Sequence, residues 1–205
     1  MPERPDLHNL DALLEDAIQR LRHATTTAKH PFHLGTIATV DSANQPHART
    51  VVLRRVETQP LRLIHHTDTR SPKTQHIRHN PNACWLAYDP AERIQLRLAG
   101  RATLHTDDTL ADEQWAASSL SSKRCYLAPH PPSNFADAPS PNLPEDLRDT
   151  IPTEGQAQPG RTNFAAICLT ATSLDILHLA AKGHVRASYR FEPQTHEHTA
   201  TWLHP

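Results

Sequence analysis

From residue 32 onward the sequence is a succession of short β-prone runs separated by turn signals, and this pattern most restricts the possible folds. The predicted strands cover residues 32–40, 47–56, 61–66, 84–88, 94–104, 163–170, 184–191 and 198–203. A separate short apolar run occupies residues 174–179. Short strands in hairpin succession, with few helices between them, predict a small antiparallel barrel.

Three segments of the chain have helical character instead. Residues 10–21 repeat leucine, alanine and isoleucine at helical spacing opposite a charged face, with Asn9 as the expected N-cap. Residues 71–79 and 109–120 are the other two segments. We therefore expect a mainly β (α+β) fold, with six to eight antiparallel strands in a split barrel and peripheral helices. It is expected to form one domain over residues 1–205, with the N-terminal helix within residues 1–30.

Residues 128–160 differ from the rest of the chain because they are rich in proline and show little periodicity. Loops of this length are uncommon inside a compact domain and tend to be lids, binding loops or disordered segments. We interpret this segment as a proline-rich loop or lid.

The composition excludes several classes of protein. The formal net charge of the 205 residues is −1, so no global field attracts nucleic acid or a membrane surface. No apolar run approaches the roughly 20 residues of a membrane span, and residues 1–6 lack a signal-peptide core. Three widely spaced cysteines, Cys84, Cys125 and Cys168, indicate reduced thiols. We expect a cytoplasmic protein.

Histidine is unusually frequent, with 16 residues, which raises the question of a metal site. The closest groupings are His65 with His66, His76 with His79, and His196 with His198. None combines with cysteine or a carboxylate at a familiar ligand spacing. We expect no metal site and attribute the histidines to compositional bias.

The residues best suited to chemistry lie in two segments. Residues 46–54 read Pro-His-Ala-Arg-Thr-Val-Val-Leu-Arg, a β-run that contains Arg49 and ends in Arg54. Residues 68–73 form a polar turn that contains Ser71 and Lys73 and opens a helical segment. Arginine supplies a fork of donors, lysine a point charge, and a helix start free N–H groups. Together these groups suit a phosphate monoester.

The order of these motifs resembles the pyridoxamine 5′-phosphate oxidase-like family of split-barrel flavoproteins, in particular its short and largely uncharacterised branch. The resemblance begins near Phe32 and rests first on the segments 46–54 and 67–73. It continues through Asn80-Pro81, Gln95 and the His-Val-Arg at 184–186, and ends at the Trp-Leu-His-Pro of 202–205. It implies an FMN-binding homodimer that acts on a small molecule.

The resemblance also implies which residues contact FMN. Arg49 and Lys73 would hold its phosphate, and the backbone from Thr50 to Leu53 would run under the isoalloxazine ring. Arg54 and Gln95 would lie near the polar edge of the ring. The implied cofactor-binding residues are Arg49, Thr50, Val51, Val52, Leu53, Arg54, His66, Thr67, Arg70, Ser71, Lys73, Gln95 and Arg186, the last from the other subunit.

The catalytic residues are less certain, because no acid or base must do more than orient a substrate when a flavin carries the reaction. The substrate-side candidates are Lys182, His184 and Arg124. The first two match an Arg-x-His pair of the oxidase. The oxidase's cluster for the substrate phosphate is not recognisable in residues 115–126, where only Lys123 and Arg124 are charged. A tyrosine beside the cofactor is replaced by His66.

We therefore expect an FMN-dependent oxidoreductase with oxygen or a nicotinamide as the second redox partner. Three alternatives remain at this point. One is a flavin reductase or deazaflavin-dependent reductase on the same fold. Another is a flavin-binding or haem-handling module without turnover. The third is a histidine-based metal carrier.

Overall fold

The computed structural model describes residues 5–192, 195 and 197–205. Eight strands form one antiparallel sheet in the order β3-β2-β1-β4-β5-β6-β7-β8, and an additional pairing of β3 with β6 closes it. The strands are β1 (Leu34–Val40), β2 (Pro46–Thr58), β3 (Leu61–Asp68), β4 (Asn82–Asp89), β5 (Ile94–His105), β6 (Phe164–His178), β7 (Val185–Phe191) and β8 (His198–Leu203). The predicted split barrel is confirmed, with six strands in the barrel and two that extend it.

The barrel interior explains the alternating pattern of the sequence. Side chains of successive strand residues point to opposite faces, so every second residue is buried. Ile37, Leu53, Leu63, Trp85 and Leu96 are all fully buried inside the barrel. The residues between them on β1, β2, β4 and β5 point outward and form an outer face of the barrel.

The separation predicted between the strand at 163–170 and the run at 174–179 is wrong, because β6 is continuous from Phe164 to His178. Its pairing with β5 shifts by one residue, since Ala99 faces Ser173 while Gly100 faces Ala171. Thr172 is therefore the extra residue of a β-bulge. A bulge bends a strand without ending it, and it interrupts the alternation from which sequence reasoning locates strands.

The helices lie around the barrel. The helices are α1 (Leu10–Thr26), α2 (Pro72–His79), α3 (Thr109–Ala117), α4 (Leu120–Lys123) and α5 (Glu154–Ala157). The predicted cap is present, since the Asn9 side chain accepts hydrogen bonds from the backbone N–H groups of Asp11 and Ala12. Tyr189 of β7 donates to the Leu10 carbonyl at 2.7 Å, which ties α1 to the extension of the sheet.

The connection over residues 128–160 consists of irregular backbone with short helical turns and is held by polar contacts. Arg124 donates through NH1 to the carbonyls of Leu147, Arg148 and Thr150 at 3.0–3.2 Å. Lys123, 5% exposed, pairs with Glu154 at 3.1 Å. No helix in the described residues is long and apolar enough to cross a membrane.

The bulge opposite Gly100 generates a stability prediction. A Cβ at position 100 would overlap the carbonyl group of Thr170, so Gly100→Ala requires the backbone of β6 to move. We expect a loss of about 1–3 kcal/mol in the free energy of unfolding, measured by denaturant titration. Gly155→Ala is the matched control, because a Cβ there meets nothing within 4 Å. Equal stabilities of the two variants would contradict this account.

Candidate functional site

A pair of partly buried cations lies where β2 passes the start of α2. Lys73, in the first turn of α2, donates from Nζ to the hydroxyls of Thr67 at 3.0 Å and Ser71 at 2.7 Å. Burial and the charge of Arg49 lower the pKa of Lys73, and Asp68 only partly opposes them. Lys73 thus shares a desolvated environment with a second positive charge.

Arg49 is held by neutral oxygen atoms. Its NH1 donates to the Thr39 hydroxyl at 2.7 Å and to the carbonyls of Ile37 and His47 at 3.3 and 3.0 Å. Burial lowers the pKa of its guanidinium. In the described part of the chain, neither Arg49 nor Lys73 has a carboxylate among its hydrogen-bond partners. Two desolvated cations without a paired anion, beside two hydroxyls and a helix start, fit a phosphate dianion. We call Arg49, Thr67, Ser71 and Lys73 the cation cradle.

Arg70 lies next to the cradle but its guanidinium is engaged elsewhere. It donates from Nε and NH2 to the two carboxylate oxygens of Asp68, at 3.0 and 2.7 Å, and from NH2 to the Ala128 carbonyl at 3.0 Å. This bidentate pair also raises the pKa of Arg70. The contacts fix the start of the 128–160 connection, so we do not include Arg70 in the cradle.

The outward residues of β2 begin a continuous sheet face beside the cradle. Val51 and Leu53 point into the barrel, whereas Thr50 and Val52 point outward. The pairing with β3 shifts between Leu53 and Arg55, which makes Arg54 the bulged residue. Bulges often redirect a side chain next to an active site. The Arg54 side chain is exposed. The sequence analysis named Arg54 as a candidate cofactor-binding residue but did not predict the bulge.

The same outer face continues across the neighbouring strands. Leu34, Leu86 and Tyr88 are exposed on it, at 53%, 37% and 44%. Leu34 pairs with Val52, and Tyr88 pairs with Gln95. Further along, Gln95 of β5 pairs with Leu177 of β6. Leu177 pairs in turn with Arg186 of β7, and Arg186 pairs with Leu203 of β8. The register therefore brings Thr50, Val52, Gln95 and Arg186, which are distant in sequence, onto one surface.

Two adjacent histidines of β3 support this region as neutral groups. His65 is fully buried and donates from Nδ1 to the Val52 carbonyl at 3.1 Å. His66 lies 3.0 Å from the Gln114 side-chain oxygen through Nε2, and its ring contacts Phe164 edge-on. Burial lowers the pKa of each ring to about 4, so both are uncharged at neutral pH. Sequence reasoning missed Gln114, whose only signal is a polar residue on the apolar face of α3.

The remaining predicted residues lie in three places. Arg186 pairs with Asp175 at 2.9 Å, and Arg97 contacts the same carboxylate at 3.1 Å. Lys182 and His184 are exposed in the turn before β7, where His184 Nδ1 accepts from the Ala180 N–H. Arg124 is engaged with three backbone carbonyls of the 128–160 connection. These contacts give Arg124 a loop-holding role and do not support its assignment to the substrate.

The histidine groupings do not assemble into a metal site. No group of three or more histidine, cysteine, aspartate or glutamate side chains suited to a metal ion occurs within the described ranges. His196 lies outside the described residues. Cys84, Cys125 and Cys168 are free thiols.

Comparison with known proteins bears directly on this surface. Residues 9–106 match the family model of the pyridoxamine 5′-phosphate oxidase, FMN-binding domain. The match includes β1 to β5 and both segments of the cradle. The domain over residues 9–106 belongs to the pyridoxamine 5′-phosphate oxidase-like family. FMN is the cofactor of this family's domain, and the cation cradle fits its phosphate.

Individual relatives agree with this assignment. A pyridoxine/pyridoxamine 5′-phosphate oxidase of Ruegeria sp. is 30% identical over 123 residues, which are 60% of this chain and 60% of that protein. The match thus spans less than two thirds of the curated relative's length. A pyridoxamine 5′-phosphate oxidase-related, FMN binding protein of Nostoc punctiforme is 26% identical, with a TM-score of 0.69 over 93% of this chain and 96% of that one.

A second solved structure shares the fold alone. PhzG of Burkholderia lata, solved with tetrahydrophenazine-1-carboxylic acid, has 16% identity and a TM-score of 0.67 over 100% of this chain and 94% of that one. The fold of this chain is therefore shared along nearly its whole length by a protein of low sequence identity.

Proposed function

We propose that this chain is an FMN-dependent oxidoreductase acting on a small molecule as a homodimer. The observation that supports the proposal most directly is the cation cradle, in which Arg49 and Lys73 are both desolvated and neither is paired with a carboxylate. Such a pair is costly in an empty protein and favourable beside a dianion. The cradle lies within the segment that matches the FMN-binding domain.

In this proposal the cation cradle and the outer face have distinct roles. The cradle holds the phosphate, and Thr50 and Val52 present the strand under the ring. Bound FMN supplies two-electron redox chemistry at N5, and reduction develops negative charge on the N1–C2=O edge of the ring. Arg54 and the Gln95 amide are the groups proposed to stabilise that charge. The neutral His66 side chain, which is held by Gln114, is the proposed uncharged neighbour of the isoalloxazine ring.

The first functional prediction concerns cofactor affinity. Arg49→Ala and Lys73→Ala each remove a charge-assisted contact to the phosphate, worth roughly 1.5–3 kcal/mol, or about ten- to a hundredfold in affinity. Titration of the apo-protein with FMN, followed by flavin fluorescence, measures the loss. Lys29→Ala, at an exposed position after α1, is the matched control and should bind normally. Unchanged affinity in both cradle variants would remove the phosphate assignment.

Dimerisation is proposed from the exposed apolar residues of the outer face. Leu34, Leu86 and Tyr88 extend from β1 to β4 beside the proposed flavin position, and exposed apolar patches commonly mark interfaces. A two-fold arrangement would bring this face against the same face of a second chain. The Arg186 end of the sheet would then approach the partner's flavin, which is the position that the family resemblance implies.

Sedimentation of the FMN-loaded protein tests this proposal. At micromolar concentration we expect about twice the chain mass of 22.9 kDa. Leu86→Glu places a charge on the proposed contact face and should shift the protein toward monomer with loss of FMN. Phe135→Glu is the control, because Phe135 is fully exposed in the 128–160 connection. A wild-type monomer that retains FMN would contradict the dimer.

The last functional prediction concerns the reaction. Oxidation of pyridoxamine phosphate requires a grip on the substrate's own phosphate, yet residues 108–120 contain no lysine or arginine. Of the next two cations, Lys123 is buried against Glu154 and the Trp115 ring, and Arg124 holds backbone carbonyls. We therefore expect weak or absent turnover, because poor orientation alone costs about a hundredfold.

A steady-state assay in air, following pyridoxal phosphate formation from pyridoxamine and pyridoxine phosphates, measures this. Turnover near the usual enzyme median of about 10 per second would show that the substrate phosphate has another binding site. An anaerobic screen with NADH, NADPH and candidate substrates then tests the wider proposal, because bleaching of bound FMN separates an enzyme from a flavin-binding module. Failure of every donor to bleach the flavin would favour the module.

A further inference from the structure

His76 connects to the cation cradle through a chain of hydrogen bonds. It follows Lys73 by one helical turn on α2, so the two side chains lie on the same side of the helix. The His76 Nδ1 atom lies 3.1 Å from the hydroxyl of Thr39, which also accepts from Arg49 at 2.7 Å. Thr39 is only 1% exposed, so this hydroxyl has little access to water and joins the imidazole to the guanidinium.

The hydrogen-bond pattern is consistent with a neutral ring that carries its proton on Nε2. Arg49 can only donate, so the Thr39 oxygen accepts from it, and the hydroxyl hydrogen of Thr39 can be donated to Nδ1 of His76. In that arrangement the ring proton resides on Nε2. No hydrogen-bond partner for Nε2 occurs in the part of the chain that the structure describes, so no protein acceptor there competes for this N–H.

The charges around His76 keep it neutral while the cradle is empty. His47 of β2 lies against its ring at 4.6 Å between centroids, and Arg49 lies on the same strand. Burial, followed by the charges of His47 and Arg49, lowers the pKa of His76, while Asp41 in the β1–β2 turn raises it. Asp41 is itself engaged by His47 at 3.0 Å. In the described residues, no charged side chain of β5, which also packs against α2, contributes to this shift.

We propose that His76 is a further phosphate-binding residue and that its ring takes up a proton from solvent when the FMN phosphate enters the cradle. The inference rests on the proposed FMN site. The proton is added to Nδ1, after which Nδ1–H donates to Thr39 and Nε2–H donates to the phosphate. No electrons are transferred, and the only species taken up from the buffer is a proton. A phosphate dianion beside the imidazole would raise its pKa, because a nearby opposite charge favours the protonated ring.

Calorimetry of the whole protein tests this inference. FMN is titrated at pH 7 in two buffers with different protonation heats, and the difference in binding heat reports the number of protons taken up. Most of a phosphate monoester is already a dianion there, since its second pKa is about 6. We expect uptake of a few tenths of a proton per FMN. Riboflavin, which lacks the phosphate, should cause none.

Two variants locate the proton. His76→Gln should abolish the uptake and weaken FMN binding more at pH 6.5 than at pH 8.5. His79→Gln, an exposed histidine on the same helix, should behave as the wild type. FMN binding without proton uptake, or unchanged uptake in His76→Gln, would overturn the inference but leave the cradle intact. FMN binding no tighter than riboflavin would instead overturn the proposed function, and with it this inference.

Discussion

The pairing of β3 with β6 is the contact on which the rest of the structure depends. It runs from Arg62 opposite Thr170 to Asp68 opposite Phe164, and it converts an open sheet into a closed barrel. The Thr69 N–H continues it by donating to the Asn163 carbonyl at 2.8 Å. Because β3 ends at this closure, the start of α2 is held against a rigid edge. Thr67 lies on β3 at that edge, and Ser71 and Lys73 follow within five residues of its end.

This closure explains how a desolvated cation pair is kept without an anion. Arg49 comes from β2 and Lys73 from α2, and both strand and helix are fixed to β3 by their own backbone bonds. Each cation is also held in place by hydrogen bonds to neutral oxygen atoms. The repulsion is therefore stored in the empty protein, and a bound dianion would relieve it. Ligands that bind only the folded state stabilise it in this way.

The sequence predicts the barrel and the cation cradle well because both depend on local signals. Alternation identifies seven of the strands, and the polar turn before α2 is recognisable by composition. The continuity of β6 could not be predicted, because the bulge at Thr172 depends on Gly100 of another strand. The contact between His66 and Gln114 joins residues 48 apart in the chain, so it also leaves no local signal.

The contacts of Arg124 and Arg186 also leave no local signal in the sequence. The position of each arginine in the sequence suggests contact with a ligand. In the structure, each has a protein partner that the sequence does not reveal. Arg124 binds carbonyls contributed by a connection without periodicity, and Arg186 binds a carboxylate on the neighbouring strand. The surroundings of a charged side chain can be predicted from sequence only where its partners are local, as they are for Lys73.

The barrel fixes the groups proposed to hold the FMN phosphate, whereas the groups proposed to bind the substrate depend on surface contacts. The groups proposed to hold the FMN phosphate come from β2, β3 and α2, which are joined by backbone hydrogen bonds. The substrate-side groups come from an exposed turn before β7 and from the region after α3, where surface contacts decide the geometry. A change in one loop carbonyl or one carboxylate can redirect Arg124 or Arg186 without disturbing the cradle. The proposed phosphate site can therefore be retained while these surface contacts vary, and we expect the cations around the proposed flavin position to decide which substrate charge is accepted.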